Sequence, residues 1–233
     1  MIRTQKQKAT QTHIINLITL TSPLSPIAEQ YRTIRTNIQF ASANGQQIKT
    51  ITVTSADPEE GKSTTAANIA VVFAKSNQKV LLVDADLRRS VVHKIFNLNN
   101  DNGLSTALSS AESITNIIQQ TPVEKLSILP SGPKPPNPSE LLSSPRMKKI
   151  LPETRQLFDI VIFDVPPLVT VTDAQIMSSK TDGTLLVVRE NISRKKNLTK
   201  AKELLDMSQA RVLGVVYNGA KRNKDDSYYY YEN

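Results

Sequence analysis

One stretch limits the folds open to this chain more than any other. The apolar run Ile51-Thr52-Val53-Thr54 leads into Ser55-Ala56-Asp57-Pro58-Glu59-Glu60-Gly61-Lys62-Ser63-Thr64-Thr65, and a helix-compatible run, Ala66 to Ala74, leaves it. Strand, Gly-Lys-Ser turn and helix in that order make a phosphate-binding loop. Free backbone N–H groups at the helix start, backed by the helix dipole, seat phosphate anions. Lys62 is placed to reach the terminal phosphates and the Ser63 hydroxyl to meet Mg2+. Glu60, Gly61, Lys62, Ser63 and Thr64 are therefore the nucleotide-binding candidates of the loop. Ala56 stands where G-x-x-x-x-G-K-S has its first glycine. Alanine tolerates positive φ less well than glycine, so the loop is expected to enter with a different backbone.

Such a loop belongs in an alternating sheet-and-helix fold, and the rest of the chain agrees. Strand-like runs lie at 50–54, 79–84, 126–130, 159–164, 184–189 and 211–217. Helical stretches lie between them at 64–76, 91–96 with 104–119, 145–156, 173–179 and 194–208. The expected fold is α/β of the P-loop NTPase type, a mostly parallel sheet with helices on both faces. Ahead of it, Ser25-Pro26 reads as helix cap and first helical residue, followed by Ile27, Tyr31, Ile34 and Ile38 at helical spacing. Ser144-Pro145 and Ser193 read as further helix starts. Residues 131–138, with four prolines, read as a rigid loop after a strand end. Three parts follow: a flexible N-terminal arm (1–24) with one short strand or packing segment at 14–20, a nucleotide-binding domain (25–220), and a flexible tail (221–233).

Composition removes other chemistries. The chain has 233 residues, no cysteine and two histidines, His13 and His93. Disulfides, thiolate metal sites and histidine triads are thereby excluded or disfavoured. No run approaches the ~18 apolar residues of a membrane span, and Asn16 breaks the only apolar patch near the start, so the expected compartment is the cytoplasm. The net charge of +8 suits nucleotide phosphates, an anionic membrane leaflet or nucleic acid. Nucleic acid is disfavoured: Arg194, Lys195, Lys196, Lys200 and Lys202 crowd one helix without an aromatic platform.

Two further strands end in aspartate: Val80-Leu81-Leu82-Val83-Asp84-Ala85-Asp86-Leu87-Arg88-Arg89 and Ile160-Val161-Ile162-Phe163-Asp164-Val165-Pro166-Pro167. In a parallel sheet the strand ends share one edge, so Asp84, Asp86 and Asp164 are expected beside Lys62 and Ser63. Phosphoryl transfer needs such a set: cations against the phosphate charge and a carboxylate to orient or deprotonate the acceptor. On the first helix Glu29, Arg32 and Arg35 lie three apart on an arc of about 120°. Spacing alone favours an intrahelical Glu29–Arg32 pair over a subunit contact.

These residues together resemble the bacterial tyrosine kinases, the Walker-motif class linked to capsule and exopolysaccharide synthesis. The resemblance rests on Gly61-Lys62-Ser63-Thr64, Asp84-Ala85-Asp86-Leu87-Arg88, the run Phe158 to Pro167, Glu29-x-x-Arg32-x-x-Arg35, Ser131-Gly132-Pro133 with the prolines that follow, and the terminal tyrosines. It implies ATP and Mg2+ as cofactors. It implies that Lys62, Asp84, Asp86 and Asp164 are catalytic: Lys62 on the phosphates, Ser63, Asp84 and Asp164 at the metal, and Asp86 as base or orienter for a tyrosine hydroxyl. Arg88 and Arg89 become charge stabilisers near the phosphates, and Asn218 an adenine contact. Glu29, Arg32 and Arg35 become the contacts of a homo-oligomeric ring, such as an octamer, reversing the preference from spacing. A separate transmembrane activator is implied, recruiting the kinase to the inner face of the membrane. With that site upstream, Tyr228, Tyr229, Tyr230 and Tyr231 read as substrate, phosphorylated in trans. Four phosphates at about −1.5 to −2 each would add roughly −6 to −8, comparable to the whole +8 surplus. Two competing readings are a partitioning or septum-positioning ATPase, which carries a lysine where this chain has Asp57, and a nucleotide-dependent regulator without catalysis.

Overall fold

The computed structural model describes residues 17–42, 47–110 and 112–220. Seven strands form one sheet: β1 (Thr50–Ser55), β2 (Val80–Asp84), β3 (Gln119–Gln120), β4 (Leu126–Leu129), β5 (Ile160–Asp164), β6 (Gly183–Arg189) and β7 (Val212–Asn218). Their order is β3-β4-β2-β5-β1-β6-β7, and every neighbouring pair is parallel except β3 with β4. Strands β2, β4 and β5 are buried throughout, as their near-continuous apolar runs require in a sheet covered on both faces.

Helices α1 (Ile18–Thr21), α2 (Pro26–Ser42), α3 (Lys62–Ala74) and α4 (Val92–Ile95) cover one face. There Ile69 and Phe73 meet Ile51, Val53, Leu82 and Ile162. Helices α5 (Leu104–Ser109), α6 (Pro138–Ser143), α7 (Pro145–Leu157), α8 (Asp173–Ser178) and α9 (Lys195–Met207) cover the other, where Leu81, Val83, Val161 and Phe163 meet Leu142, Met147 and Ile150. Alternate residues of one strand thus serve two cores. Strand β1 offers threonines to the second face, and hydrogen bonds satisfy them: Thr54 Oγ1 donates to Pro166 O at 2.9 Å, and Thr52 and Thr181 hydroxyls lie 2.9 Å apart. Because β1 sits between β5 and β6, the chain turns opposite ways on its two sides. The crevice above its C-terminal end is the switch point where open α/β sheets bind ligands.

Several expectations need correction. The helix expected over 104–119 stops at Ser109, because the Ser110 hydroxyl accepts the Glu112 N–H at 3.2 Å and competes with helical bonding. A 3-10 turn, Ile114–Asn116, and the unforeseen antiparallel β3 follow. The proline-rich loop ends in a helix, α6, with Pro138 in its first turn, where a missing N–H costs nothing. Ser25 and Ser144 do cap α2 and α7, each accepting an N–H at 3.2 Å, from Ala28 and Met147. Ser193 does not cap α9; Arg194 holds that position. The segment read as strand or packing at 14–20 is helical from Ile18, and its first three residues lie outside the described ones. It grips α3. Thr19 donates both N–H and hydroxyl to Asn68 Oδ1 at 3.1 and 2.8 Å, Asn68 Nδ2 donates to Thr64 O at 2.9 Å, and Lys75 Nζ donates to Thr19 O at 2.6 Å.

Candidate active site

The loop between β1 and α3 turns through left-handed backbone at Glu59 (φ 65°) and Gly61 (φ 90°), not at Ala56. Ala56 is buried in the core and has no positive φ, so the left-handed turns come further along the loop, after the position of the missing glycine. Gly61 is required twice over: its φ favours glycine, and a Cβ there would sit 2.3 Å from Asn218 Nδ2. Side chains from β6, α9 and β7 hold the loop. Asn197 Nδ2 donates to both Asp57 carboxylate oxygens at 2.8 and 2.9 Å, and Arg189 Nη1 donates to Glu59 O at 3.0 Å. The buried Glu60 carboxylate accepts the Ser193 hydroxyl and, at 3.1 Å, the Asp57 N–H. Glu60 therefore meets the crevice through its backbone, and its side chain is a staple.

The three aspartates converge as expected. Asp84 and Asp164 are register partners at the ends of β2 and β5. Lys62 Nζ lies 3.0 Å from Asp86 Oδ2, 3.6 Å from Asp164 Oδ1 and 3.3 Å from Ser63 Oγ. Asp86 Oδ1 accepts the N–H groups of Arg88 and Arg89 at 3.3 and 2.9 Å, which aims its other oxygen at the lysine. Asp84 accepts from Asp86 N on one oxygen and from Val91 N and Val92 N on the other. Burial first, and then the charge of Asp164, push the Asp84 carboxyl up to about 8, against a usual 3.8. Burial raises Asp164 as well. For Lys62 burial works downward, but the carboxylates of Asp164, Asp86 and Asp84 outweigh it and hold the ammonium charged. The site is over-supplied with anions and short of cations.

That imbalance fits a divalent metal. Both Asp164 oxygens are buried without a well-formed hydrogen bond; their nearest donors are Lys62 Nζ, 3.6 Å from Oδ1, and the Ser63 side chain, which lower the carboxyl against its burial. Mg2+ takes one or two carboxylates and completes its shell with water and phosphate, so it needs no full protein cage. Among the described residues no cluster of three histidine, cysteine or acidic side chains forms one.

The other expected residues have partners of their own. Arg88 is turned from the loop: Nε and Nη2 form a bidentate pair with the fully buried Asp173 carboxylate at 2.9 and 3.0 Å, and Nη2 also meets Ser139 Oγ at 3.1 Å. Asn218 lies against the phosphate loop, donating to Glu60 O at 3.1 Å. Glu29 and Arg32 form the intrahelical pair at 2.6 Å, while Arg35 Nη1 donates to Val72 O at 3.1 Å, so the three do not form one free face. Tyr228 to Tyr231 lie outside the described residues. Asp173, Ser139, Ser193 and Asn197 were not foreseen as site-supporting residues. Their partners are 34 to 140 positions away, and no local pattern marks them.

Residues 48–197 match a family described as an AAA domain, a stretch that holds the nucleotide-binding loop and strands β1 to β6. The tyrosine-protein kinase YwqD of Bacillus subtilis is 49% identical over 93% of this chain and 91% of its own length. The chain belongs to the bacterial tyrosine kinases. The kinase domain of Escherichia coli tyrosine kinase ETK superposes with a TM-score of 0.85 at 30% identity, covering 95% of this kinase and 84% of that chain. The chimerical protein CapA2B2 gives the same TM-score at 42% identity, over 88% and 90%. This kinase is thus a protein-tyrosine kinase on a P-loop fold. No helix among its described residues is long and apolar enough to cross a membrane.

Proposed function

We infer that this kinase transfers the terminal phosphoryl group of ATP, with Mg2+, to the tyrosines of its own C-terminal cluster, Tyr228–Tyr231, on a neighbouring subunit of a homo-oligomeric ring. It serves capsule or exopolysaccharide synthesis under a separate membrane activator that recruits it to the inner face of the membrane. One observation carries the reading: β7 ends at Asn218 against Gly61, so the tyrosine cluster begins ten residues along the chain from the edge of the catalytic crevice.

Ser63 and Asp164 would hold Mg2+, which would supply positive charge against the phosphates. Lys62 swings from Asp86 to the terminal phosphates, gaining a partner of greater charge. Its departure frees Asp86 Oδ2, which two backbone amides hold in place through the other oxygen. A tyrosine hydroxyl has an ordinary pKa near 10, so a carboxylate fixed in this way orients it and accepts its proton as the new P–O bond forms. Asn197, Ser193 and Asn218 keep the loop amides aimed throughout.

The test is to incubate the chain with ATP and Mg2+, map phosphotyrosine by mass spectrometry, and compare Lys62→Met. Phosphate on Tyr228–Tyr231 that vanishes in the variant is expected. Mixing a Lys62→Met chain with a catalytically intact chain whose four tail tyrosines are phenylalanine tests the trans step. A Lys62→Met chain left unphosphorylated in that mixture refutes it.

A further inference from the structure

The edge of the sheet opposite the crevice carries a second site-like feature. A groove of about 740 Å³ lies there, among Lys49, Lys148, Leu151, Pro152, Arg155 and Lys180. Lys49 immediately precedes β1, Lys180 lies just before β6, and Leu151, Pro152 and Arg155 come from α7. In a parallel sheet these positions share the N-terminal edge, a full strand length from Lys62. Four cations face one concavity. Only Arg155 has an acidic partner among the described residues: its Nη1 lies 2.9 Å from Asp182 Oδ1. Asp182 also accepts the N–H groups of Lys49 and Thr50, at 2.9 and 2.8 Å, and its single charge leaves the four cations in excess. Leu151 is buried and Pro152 lies beside it, an apolar contribution within the cationic groove.

An apolar contact next to ammonium groups that lack acidic partners suits a ligand that is both aromatic and strongly anionic. A lipid phosphate offers charge without a ring, whereas an aryl phosphate offers a ring for the exposed Pro152 and about two negative charges for the lysines. We propose that this groove is a phosphotyrosine-binding site, and that its occupant is the phosphorylated Tyr228–Tyr231 segment of this same kinase. The source of the ligand, though not the chemistry of the groove, rests on the tail being the phosphate acceptor. Length permits it. From Asn218 to Tyr228 the chain spans up to about 33 Å, against about 23 Å for the seven residues of β7. Product is thereby drawn from the catalytic edge to the opposite one, and the crevice is cleared for the next acceptor.

The experiment uses the full chain carrying Lys62→Met, so that its own tail stays unphosphorylated, and synthetic peptides of residues 223–233 with and without phosphate on Tyr229 and Tyr230. The phosphopeptide should bind at least tenfold more tightly by fluorescence anisotropy. Adding Lys148→Glu and Lys180→Glu should remove that difference while thermal stability and nucleotide affinity stay unchanged. Phenyl phosphate should displace the phosphopeptide at lower concentration than inorganic phosphate, reflecting the ring contact. Equal binding of the two peptides, or full affinity in the charge-reversed chain, overturns the proposal. Vesicles of phosphatidylglycerol that bind through Lys148 and Lys180 when the phosphopeptide does not would assign the groove to the membrane instead. Because the phosphate is installed synthetically, failure here leaves autophosphorylation untouched, and a kinase that never labels its own tail leaves the peptide result standing.

Discussion

Replacing Asp84 by asparagine should make the kinase more stable while disabling it. Asp84 and Asp164 are buried neighbours, and the fold holds the Asp84 carboxyl near 8 against 3.8 in the open chain. At pH 7 that difference costs about 4 kcal/mol, an upper bound because the two carboxylates share the burden. The substitution removes the carboxyl but not all of its bonding. One amide oxygen can keep the Val91 and Val92 N–H groups, and the amide nitrogen then faces the Asp86 N–H, losing a hydrogen bond worth ~1–2 kcal/mol. A net gain of ~1–3 kcal/mol remains, which for a chain of this length raises Tm by roughly 2–10 °C. Since the folded value lies above the unfolded one, the penalty is absent below about pH 4, grows as pH rises, and levels off beyond about 8. Melting curves of the nucleotide-free proteins from pH 5 to pH 8.5 should therefore diverge with rising pH. Phosphoryl transfer should fall ~100-fold or more. A variant no more stable than the parent at pH 8, or a gap that does not widen with pH, would refute the electrostatic account.

Gly61→Ala combines left-handed strain with the 2.3 Å encounter with Asn218, so it should lose ~2 kcal/mol and weaken nucleotide binding; adding Asn218→Ala should recover the part due to the clash alone, read by melting and by nucleotide titration. Asp57→Ala and Asn197→Ala each break the same pair of hydrogen bonds, so a double-mutant cycle should give a coupling of ~1–3 kcal/mol, and simple additivity would refute the latch. Arg88→Ala strands the buried Asp173 carboxylate with only the Ser139 hydroxyl, at 2.6 Å, so Tm should drop by ~4–12 °C. Lost activity at unchanged Tm would place Arg88 on the phosphates instead.

The catalytic edge was legible in the sequence because its parts are local. A strand ending in Gly-Lys-Ser or in Asp states its own position, and parallel order brings the ends together. What escaped was set by distant partners. Arg88 sits four residues after Asp84 and was expected at the phosphates, yet Asp173, 85 positions on, claims it. Ser193 has the look of a helix cap, but the Glu60 carboxylate and the Arg189 N–H take its hydroxyl. Strand β3 is Gln119-Gln120, two polar residues held by pairing with β4 and without any apolar alternation to reveal them. Helix α6 was hidden by prolines whose last member begins it.

The grip of Leu17–Thr21 on α3 makes the N-terminal segment and the nucleotide thermodynamic partners. Asn68 joins Thr19 to the carbonyl of Thr64, the residue after Ser63, and Lys75 ties the same threonine to the far end of the helix. Coupling between two such sites is reciprocal in free energy. Whatever factor docking of Thr19 contributes to nucleotide affinity, nucleotide returns to the docking of Thr19. A ligand that pulled this turn away would be felt in the crevice as a rise in Kd, without touching a single residue that meets phosphate.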